Sequence, residues 1–150
     1  MFRGINPINV DAKGRMAMPV RYRSVIVDDC EGQMVATIDT ESRCLLMYTQ
    51  PEWDLIQGKI EQLSSFNPAT RRIQRLLIGY ATDLEMDANG RLLLPATLRE
   101  YAGLEKKIIL LGQGKKFEIW SDENWSKQRD DYLDDAAGGV VPDELLSISL

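Results

Sequence analysis

The chain contains no histidine and only two cysteines, Cys30 and Cys44, among its 150 residues. Without imidazole it can form neither a Ser-His-Asp nor a Cys-His nucleophile system, nor a zinc site that uses histidine. Two cysteines that form no CxxC pair are too few for a disulfide scaffold or a typical metal site. We therefore expect reduced thiols, no metal or cofactor, and no enzymatic activity.

Long apolar segments are also missing from the sequence. No apolar run approaches the roughly 20 residues that a membrane helix needs. The first ten residues, MFRGINPINV, lack the charged and then apolar pattern of a secretion signal. These absences predict a cytoplasmic protein without a membrane partner.

Acidic residues outnumber basic ones by 23 to 18, which gives a net charge of −5. The excess argues against a nucleic-acid partner only if the charges are evenly spread. They are not, because residues 1–24 carry five basic residues and one acidic residue, a charge of +4. Residues 80–100 carry −2 and residues 121–150 carry −6. A basic N-terminal surface is therefore compatible with the acidic total.

One stretch of the sequence occurs twice. Residues 11–24, DAKGRMAMPVRYRS, match residues 87–100, DANGRLLLPATLRE, at six of 14 positions. Further on, Tyr48 and Trp53 align with Trp120 and Trp125. Trp53 and Trp125 thus fall at equivalent positions, which suggests that they share a packing role. We predict four parts in this order: a first repeat at 1–53, a helical insert at 54–80, a second repeat at 81–125, and an acidic C-terminal helix and tail at 126–150.

Each repeat predicts a hairpin, a short helix and two further strands. Apolar residues alternate with polar ones around Lys13-Gly14 and Asn89-Gly90, and Asn-Gly is a strong hairpin signal. Pro19 and Pro95 then open helices, the first with Tyr22, Val25 and Ile26 on its apolar face and the second ending at Gly103. The further strands are expected at about 33–38, 44–48, 107–111 and 116–120.

The insert predicts two helices, opened by Pro51 and by Asn67-Pro68. The second carries one apolar stripe, Ile73, Leu76, Leu77 and Tyr80. Its opposite face carries Arg71, Arg72 and Arg75, which could be solvated or could contact DNA or a neighbouring subunit. After residue 121 we expect a helix up to Gly138-Gly139 and then a loosely held or disordered tail. The fold class is α+β.

The repeated motif Asp-x-x-Gly-Arg predicts a tight turn, because glycine supplies a positive φ and the aspartate can pair with the arginine four residues on. Only the first copy lies in a basic segment. An arginine at such a tip can contact phosphates or reach guanine in the major groove, which admits a two-stranded ribbon. The alternative is a solvated basic face.

A carboxylate dyad of Asp11 and Asp87, as in aspartic proteases, is a further alternative. The Asp-Thr/Ser-Gly loop of those enzymes is absent here. An arginine four residues after each aspartate would also keep both carboxylates ionised, whereas a dyad shares one proton.

Six segments occur in an order that resembles the MraZ family of bacterial transcriptional regulators: MFRG at 1–4, DAKGR at 11–15, CLLMY at 44–48, PEW at 51–53, NP and RRIQRLLIGYA within 67–81, and DANGR at 87–91. The resemblance implies an AbrB-like, double-psi type β-barrel made from the two repeats. It also implies a ring-shaped homo-oligomer on double-stranded DNA, at direct repeats in the promoter of the division and cell-wall gene cluster, usually as a repressor at the nucleoid. An AbrB-like antitoxin, or a protein-interaction module that uses the acidic tail, is the alternative.

The resemblance also assigns roles by position. Arg15 is the expected DNA contact, Asp11 holds its loop, and Lys13 and Arg3 are expected phosphate partners. Arg21 completes the predicted DNA-binding set. The second motif, which we expect to be mainly structural, consists of Asp87, Gly90 and Arg91.

Overall fold

A computed structural model describes residues 1–135 and 141–150 of the chain. The first repeat and the start of the insert form these elements: β1 (Phe2–Asn9), β2 (Arg15–Ala17), α1 (Val20–Cys30), β3 (Gln33–Ile38), β4 (Leu45–Thr49) and α2 (Gln50–Glu61). The remaining elements are α3 (Pro68–Ile73), a π-helical turn (Gln74–Ile78), β5 (Thr82–Glu85), β6 (Arg91–Leu93), α4 (Ala96–Ala102), β7 (Lys107–Gly114), β8 (Lys116–Ser121), α5 (Asp122–Asp135) and a 3₁₀ turn (Asp143–Ser147). The α+β class and the four further strands are confirmed.

The strands form two antiparallel sheets. The larger has six strands in the order β1-β7-β8-β4-β3-β5, and the smaller pairs β2 with β6. The larger order reads the same from both edges when each strand of one repeat is exchanged for its counterpart in the other. The two repeats therefore occupy equivalent places, with β4 and β8 paired at the centre.

The predicted hairpin pairing is wrong, although the predicted turns are present. β1 pairs with β7 and β2 pairs with β6, so each side of the first turn lies against the second repeat. Among the described residues, a single bridge between Val10 and Met16 joins the two sides of that turn. Alternating apolar residues show which face of a strand is buried, but they do not identify the strand that lies beside it.

Both repeats contribute to one hydrophobic core. Its fully buried members come from both sheets and from both helices that follow the turns. Met18 and Leu94, which directly follow β2 and β6, are fully buried at equivalent positions. The turns therefore project from a shared core, which fixes them relative to each other.

The helices after the turns match their predictions with one exception. Tyr22 and Ile26 of α1 are buried, but Val25 is 37% exposed at the edge of the predicted apolar face. Gly103 ends α4 in the left-handed region with φ 63°, as expected for a helix stop.

The tryptophans of α2 and α5 occupy equivalent positions, as predicted. The ring of Trp53 packs on Tyr48 at 5.7 Å, and the ring of Trp125 packs on Trp120 at 5.6 Å. The helices α2 and α5 therefore each pack on the strand before them, β4 and β8, through one aromatic pair.

The second helix of the insert differs from its prediction. The side chain of Asn67 caps it by accepting from the N–H of Ala69, but a π-helical turn replaces the α-helix after Ile73. The buried hydroxyl of Thr37 donates to the carbonyl of Leu77 at 2.7 Å, which satisfies an oxygen of this wider turn.

The three arginines of the insert, Arg71, Arg72 and Arg75, are exposed. The predicted helix end at Gly138-Gly139 lies outside the described residues. Residues 141–150 are exposed throughout. Within the described ranges, no helix has the length and apolar character needed to cross a membrane.

Candidate nucleic-acid interface: the paired Asp-Arg turns

The aspartate of the first motif organises its turn. Oδ1 of Asp11 accepts from the backbone N–H groups of Lys13 and Arg15, each at 2.9 Å. Oδ2 accepts from Nε of Arg15 at 2.8 Å. Gly14 adopts φ 87° and donates its N–H to the carbonyl of Asp11 at 3.0 Å. One carboxylate thus fixes both the backbone of the turn and the arginine that follows it.

The second motif repeats this arrangement. Oδ1 of Asp87 accepts from the N–H groups of Asn89 and Arg91 at 2.9 Å, and Oδ2 accepts from Nε of Arg91 at 3.2 Å. Gly90 adopts φ 75°. Because the same hydrogen bonds close both turns, the motif has a structural role in each repeat.

Both aspartates are held as carboxylates. The backbone N–H of Arg15 is the main cause that lowers the pKa of Asp11, with its side chain and the N–H of Lys13 adding to it. The N–H of Arg91 is likewise the main cause that lowers the pKa of Asp87. An aspartic-protease dyad needs one carboxyl with a raised pKa, so this arrangement does not fit proton sharing.

The two turns are joined by the β2–β6 ribbon, whose outer face carries both arginines. Arg15 lies opposite Leu93 and Ala17 lies opposite Arg91, while the middle pair, Met16 and Leu92, is fully buried. Paired residues of antiparallel strands point to the same face. The outer face therefore presents Arg15 beside Leu93 at one end and Arg91 beside Ala17 at the other. Leu93 is 54% exposed.

The guanidinium of Arg15 is anchored along one edge and free along the other. Its Nε is bonded to Asp11, and among the described residues its Nη atoms donate no hydrogen bond. The side chain remains 29% accessible. A guanidinium held in this way keeps two donors in fixed directions, which suits a pair of acceptors such as guanine O6 and N7 or two phosphate oxygens.

The other predicted DNA-binding residues divide into two places. Lys13 is exposed at the first turn. Arg3 and Arg21 lie at the opposite end of β1, where the carbonyl of Arg3 accepts from the hydroxyl of Tyr22. Arg21 packs 4.6 Å from the centre of the Tyr22 ring and donates to the side chain of Asn6. The structure therefore brings Lys13 and Arg15 together but not Arg3 and Arg21 with them.

Two arginines that the site prediction omitted, Arg23 and Arg99, bond to the backbone that directly follows β2 and β6. Nε of Arg23 donates to the carbonyl of Met18 at 2.7 Å, and Nε of Arg99 donates to the carbonyl of Leu94 at 2.9 Å. They occupy identical positions in the two repeats, so the alignment of residues 11–24 with 87–100 already contained the signal.

One cluster of potential metal ligands lies away from the turns. Asp39, Cys44 and Glu118 place one ligand atom each within 4.8 Å of one another. Burial is the main cause that raises the pKa of the Cys44 thiol, which keeps it protonated. The thiol faces Asp39 at 3.5 Å, and Glu118 accepts from Nε1 of Trp120 at 2.9 Å. Because protein groups already partner all three side chains, the cluster does not indicate a metal.

Comparison with known proteins gives consistent matches. The family model described as "MraZ protein, putative antitoxin-like" matches residues 1–76 and 77–136. A protein of Coxiella burnetii (strain Dugway 5J108-111) is 56% identical over 152 residues, and one of Legionella pneumophila (strain Corby) is 52% identical over 152 residues. One of Alkalilimnicola ehrlichii is 53% identical over 150 residues, and each alignment covers 100% of both chains. All three relatives are named transcriptional regulator MraZ, and this chain belongs to the MraZ family.

Proposed function

We propose that this protein is a non-enzymatic transcriptional regulator that binds double-stranded DNA through the first Asp-Arg turn. The observation that carries the proposal is the guanidinium of Arg15, fixed by Asp11 on the outer face of a two-stranded ribbon. A ribbon of this width fits the major groove, where arginine is the usual partner of guanine. The names of the full-length relatives support the same function.

The two turns share one geometry but differ in charge, and this difference favours the first as the DNA contact. Lys13 of the first turn is replaced by Asn89 in the second. Of the five basic residues in 1–24, Lys13 and Arg15 lie at the first turn, so residues 11–15 carry +1, whereas residues 87–91 of the second turn are neutral. Phosphate contacts are made by lysine and arginine, so the second turn serves mainly to complete the ribbon.

The architecture that we propose around this contact is an AbrB-like, double-psi type barrel. Its walls are the two sheets, which pack against one core with members from both repeats. The proposed divisions of the chain are 1–53, 54–80, 81–125 and 126–150. Arg3 and Arg21 would contact phosphates away from the ribbon.

We further propose that the protein acts as a ring-shaped homo-oligomer at the nucleoid, in the cytoplasm. The insert between the repeats exposes Leu55 and Phe66, which are 63% and 95% accessible and could pack between subunits. A ring presents one basic turn per subunit, so neighbouring subunits can occupy adjacent direct repeats. Weak single contacts then add up to tight binding at a promoter, for which we propose the division and cell-wall gene cluster and repression.

Footprinting of the purified protein on the DNA upstream of its own gene tests this function, with native mass measured in parallel. We expect protection of short, evenly spaced repeats by one oligomer, and binding that falls steeply as salt is added. A protein that protects no site at low salt would contradict the proposal.

A second candidate function is protein interaction through the C-terminal tail. Leu146, Ile148 and Leu150 are exposed, next to the acidic pair Asp143 and Glu144. Deletion of residues 141–150 should then abolish the capture of a partner protein while DNA binding persists. If the deletion changes neither, this candidate is discarded.

A further inference from the structure

Each Asp-Arg turn rests on an arginine from the opposite repeat. The carbonyl of Gly14 in the first turn accepts from the N–H of Leu94 at 2.9 Å. The carbonyl of Leu94 in turn accepts from Nε of Arg99. The guanidinium of Arg99 also lies directly against Gly14, since a Cβ built on that glycine would lie 2.9 Å from its Cζ. Arg99 therefore holds the backbone immediately before Arg15.

The second turn has the equivalent arrangement, with the two repeats exchanged. The N–H of Met18 donates to the carbonyl of Gly90 at 2.8 Å, and the carbonyl of Met18 accepts from Nε of Arg23. A Cβ on Gly90 would collide with Arg23. Arg23 of the basic first repeat thus supports the second turn, and Arg99 of the second repeat supports the first.

We propose that Arg99 is the positioning residue of the DNA-binding turn, although it lies on the repeat that does not itself contact DNA. Its guanidinium fills the space under Gly14 and fixes the direction in which Asp11 and Arg15 project. The inference rests on the function proposed above and adds that the first turn is competent only when the second repeat supports it. Displacement by even 1 Å is enough to weaken a bidentate contact.

The pseudo-symmetry supplies a matched pair of variants, Arg99→Met and Arg23→Met. Each variant loses one positive charge, one hydrogen bond to a carbonyl and the packing of a guanidinium against one turn glycine. The two variants should therefore lose similar amounts of thermal stability. We expect Arg99→Met to weaken promoter binding at least tenfold and Arg23→Met less than threefold, both measured well below their melting temperatures. Equal weakening by both, or none by either, would overturn the proposal.

Amide hydrogen exchange without DNA tests the positioning itself. In Arg99→Met, the amides of Arg15 and Leu94 should exchange faster while those of Met18 and Arg91 keep their rates. In Arg23→Met, the pattern should reverse. Unchanged exchange at Arg15 in Arg99→Met would overturn the proposal.

Two further variants separate the remaining explanations. Arg99→Lys keeps the charge but not the planar group, and we expect it to remain weakened; full affinity would show that charge alone matters and overturn the positioning role. Arg15→Ala tests the DNA contact directly. If Arg15→Ala binds normally while Arg99→Met still loosens the first turn, the proposed function fails and the support of the turn by Arg99 stands.

Discussion

At the scale of single residues, the two aspartates define what each turn can do. Each carboxylate accepts two backbone N–H groups and one guanidinium of its own turn. Spacing in the sequence predicted the pairing of Asp11 with Arg15 and of Asp87 with Arg91, because aspartate, glycine and arginine at fixed offsets define a closed turn. Spacing could not predict the backbone donors, which depend on the turn conformation.

Both aspartates should titrate below the ordinary pKa of 3.8. A carboxyl whose pKa is lower in the folded state than in the unfolded state stabilises the fold at any pH above its unfolded-state pKa. This contribution is lost as the pH falls through the folded-state pKa. NMR titration of the side-chain carboxyl carbons gives each pKa separately. In Arg15→Ala we expect the pKa of Asp11 to rise only in part, because the backbone donors remain, and that of Asp87 to stay unchanged. A pKa at or above 3.8 for either aspartate in the unsubstituted protein would contradict the hydrogen bonding described for its turn.

Gly14→Ala should destabilise the protein by about 1–3 kcal/mol, because φ 87° is strained for a residue with a Cβ and Arg99 occupies the space. Gly58→Ala is the matched control. Gly58 lies inside α2 with nothing near its Cβ position, so alanine there should stabilise by about 0.5–1 kcal/mol. Urea unfolding measures both changes. Equal effects at the two glycines would show that the first turn does not need its glycine.

At the scale of elements, local signals predicted the strands, the helix starts and the turns, whereas tertiary pairing was beyond them. The alternation around Met16 and Leu92 shows correctly which residues are buried. It does not reveal that β2 pairs with β6, because that partner lies 76 residues away and any strand with the same alternation would satisfy it. The alignment of the repeats marks Arg99 as a repeated residue, but its contact with Gly14 of the other repeat depends on this pairing and could not be predicted.

The π-helical turn of the insert gives a test at this scale. Thr37→Val removes the hydroxyl that donates to the carbonyl of Leu77 at 2.7 Å and leaves that oxygen without its partner. We expect a loss of about 1–3 kcal/mol in urea unfolding. Thr37→Ser keeps the hydroxyl and should lose less; if valine were as stable as threonine, this bond would not stabilise the turn.

At the scale of the whole molecule, the arrangement of charge outweighs the total. The chain carries −5, yet residues 1–24, which include the first turn, carry +4 and residues 121–150 carry −6. The resemblance, found from six sequence segments, predicted the family, which the full-length relatives confirm. The net charge alone argues against a DNA partner, because it does not show that basic and acidic residues lie in different parts of the chain.

Removal of the last ten residues should change DNA binding only modestly. Deletion of residues 141–150 removes two acidic side chains that lie outside the first turn. We expect less than a threefold gain in affinity at low salt and no change in the slope of log K against log salt, since the phosphate contacts stay the same. A changed slope would show that the tail takes part in the interface.

The measurement that tests the central claim most directly is the affinity of Arg15→Ala and Arg91→Ala for the same promoter DNA. The two residues share one ribbon face, one aspartate partner each and similar exposure, and they differ in which repeat they belong to. We predict that Arg15→Ala binds at least tenfold more weakly at unchanged oligomer mass, while Arg91→Ala loses much less. Promoter binding by Arg15→Ala equal to that of the unsubstituted protein, or an equal loss in both variants, would contradict the account.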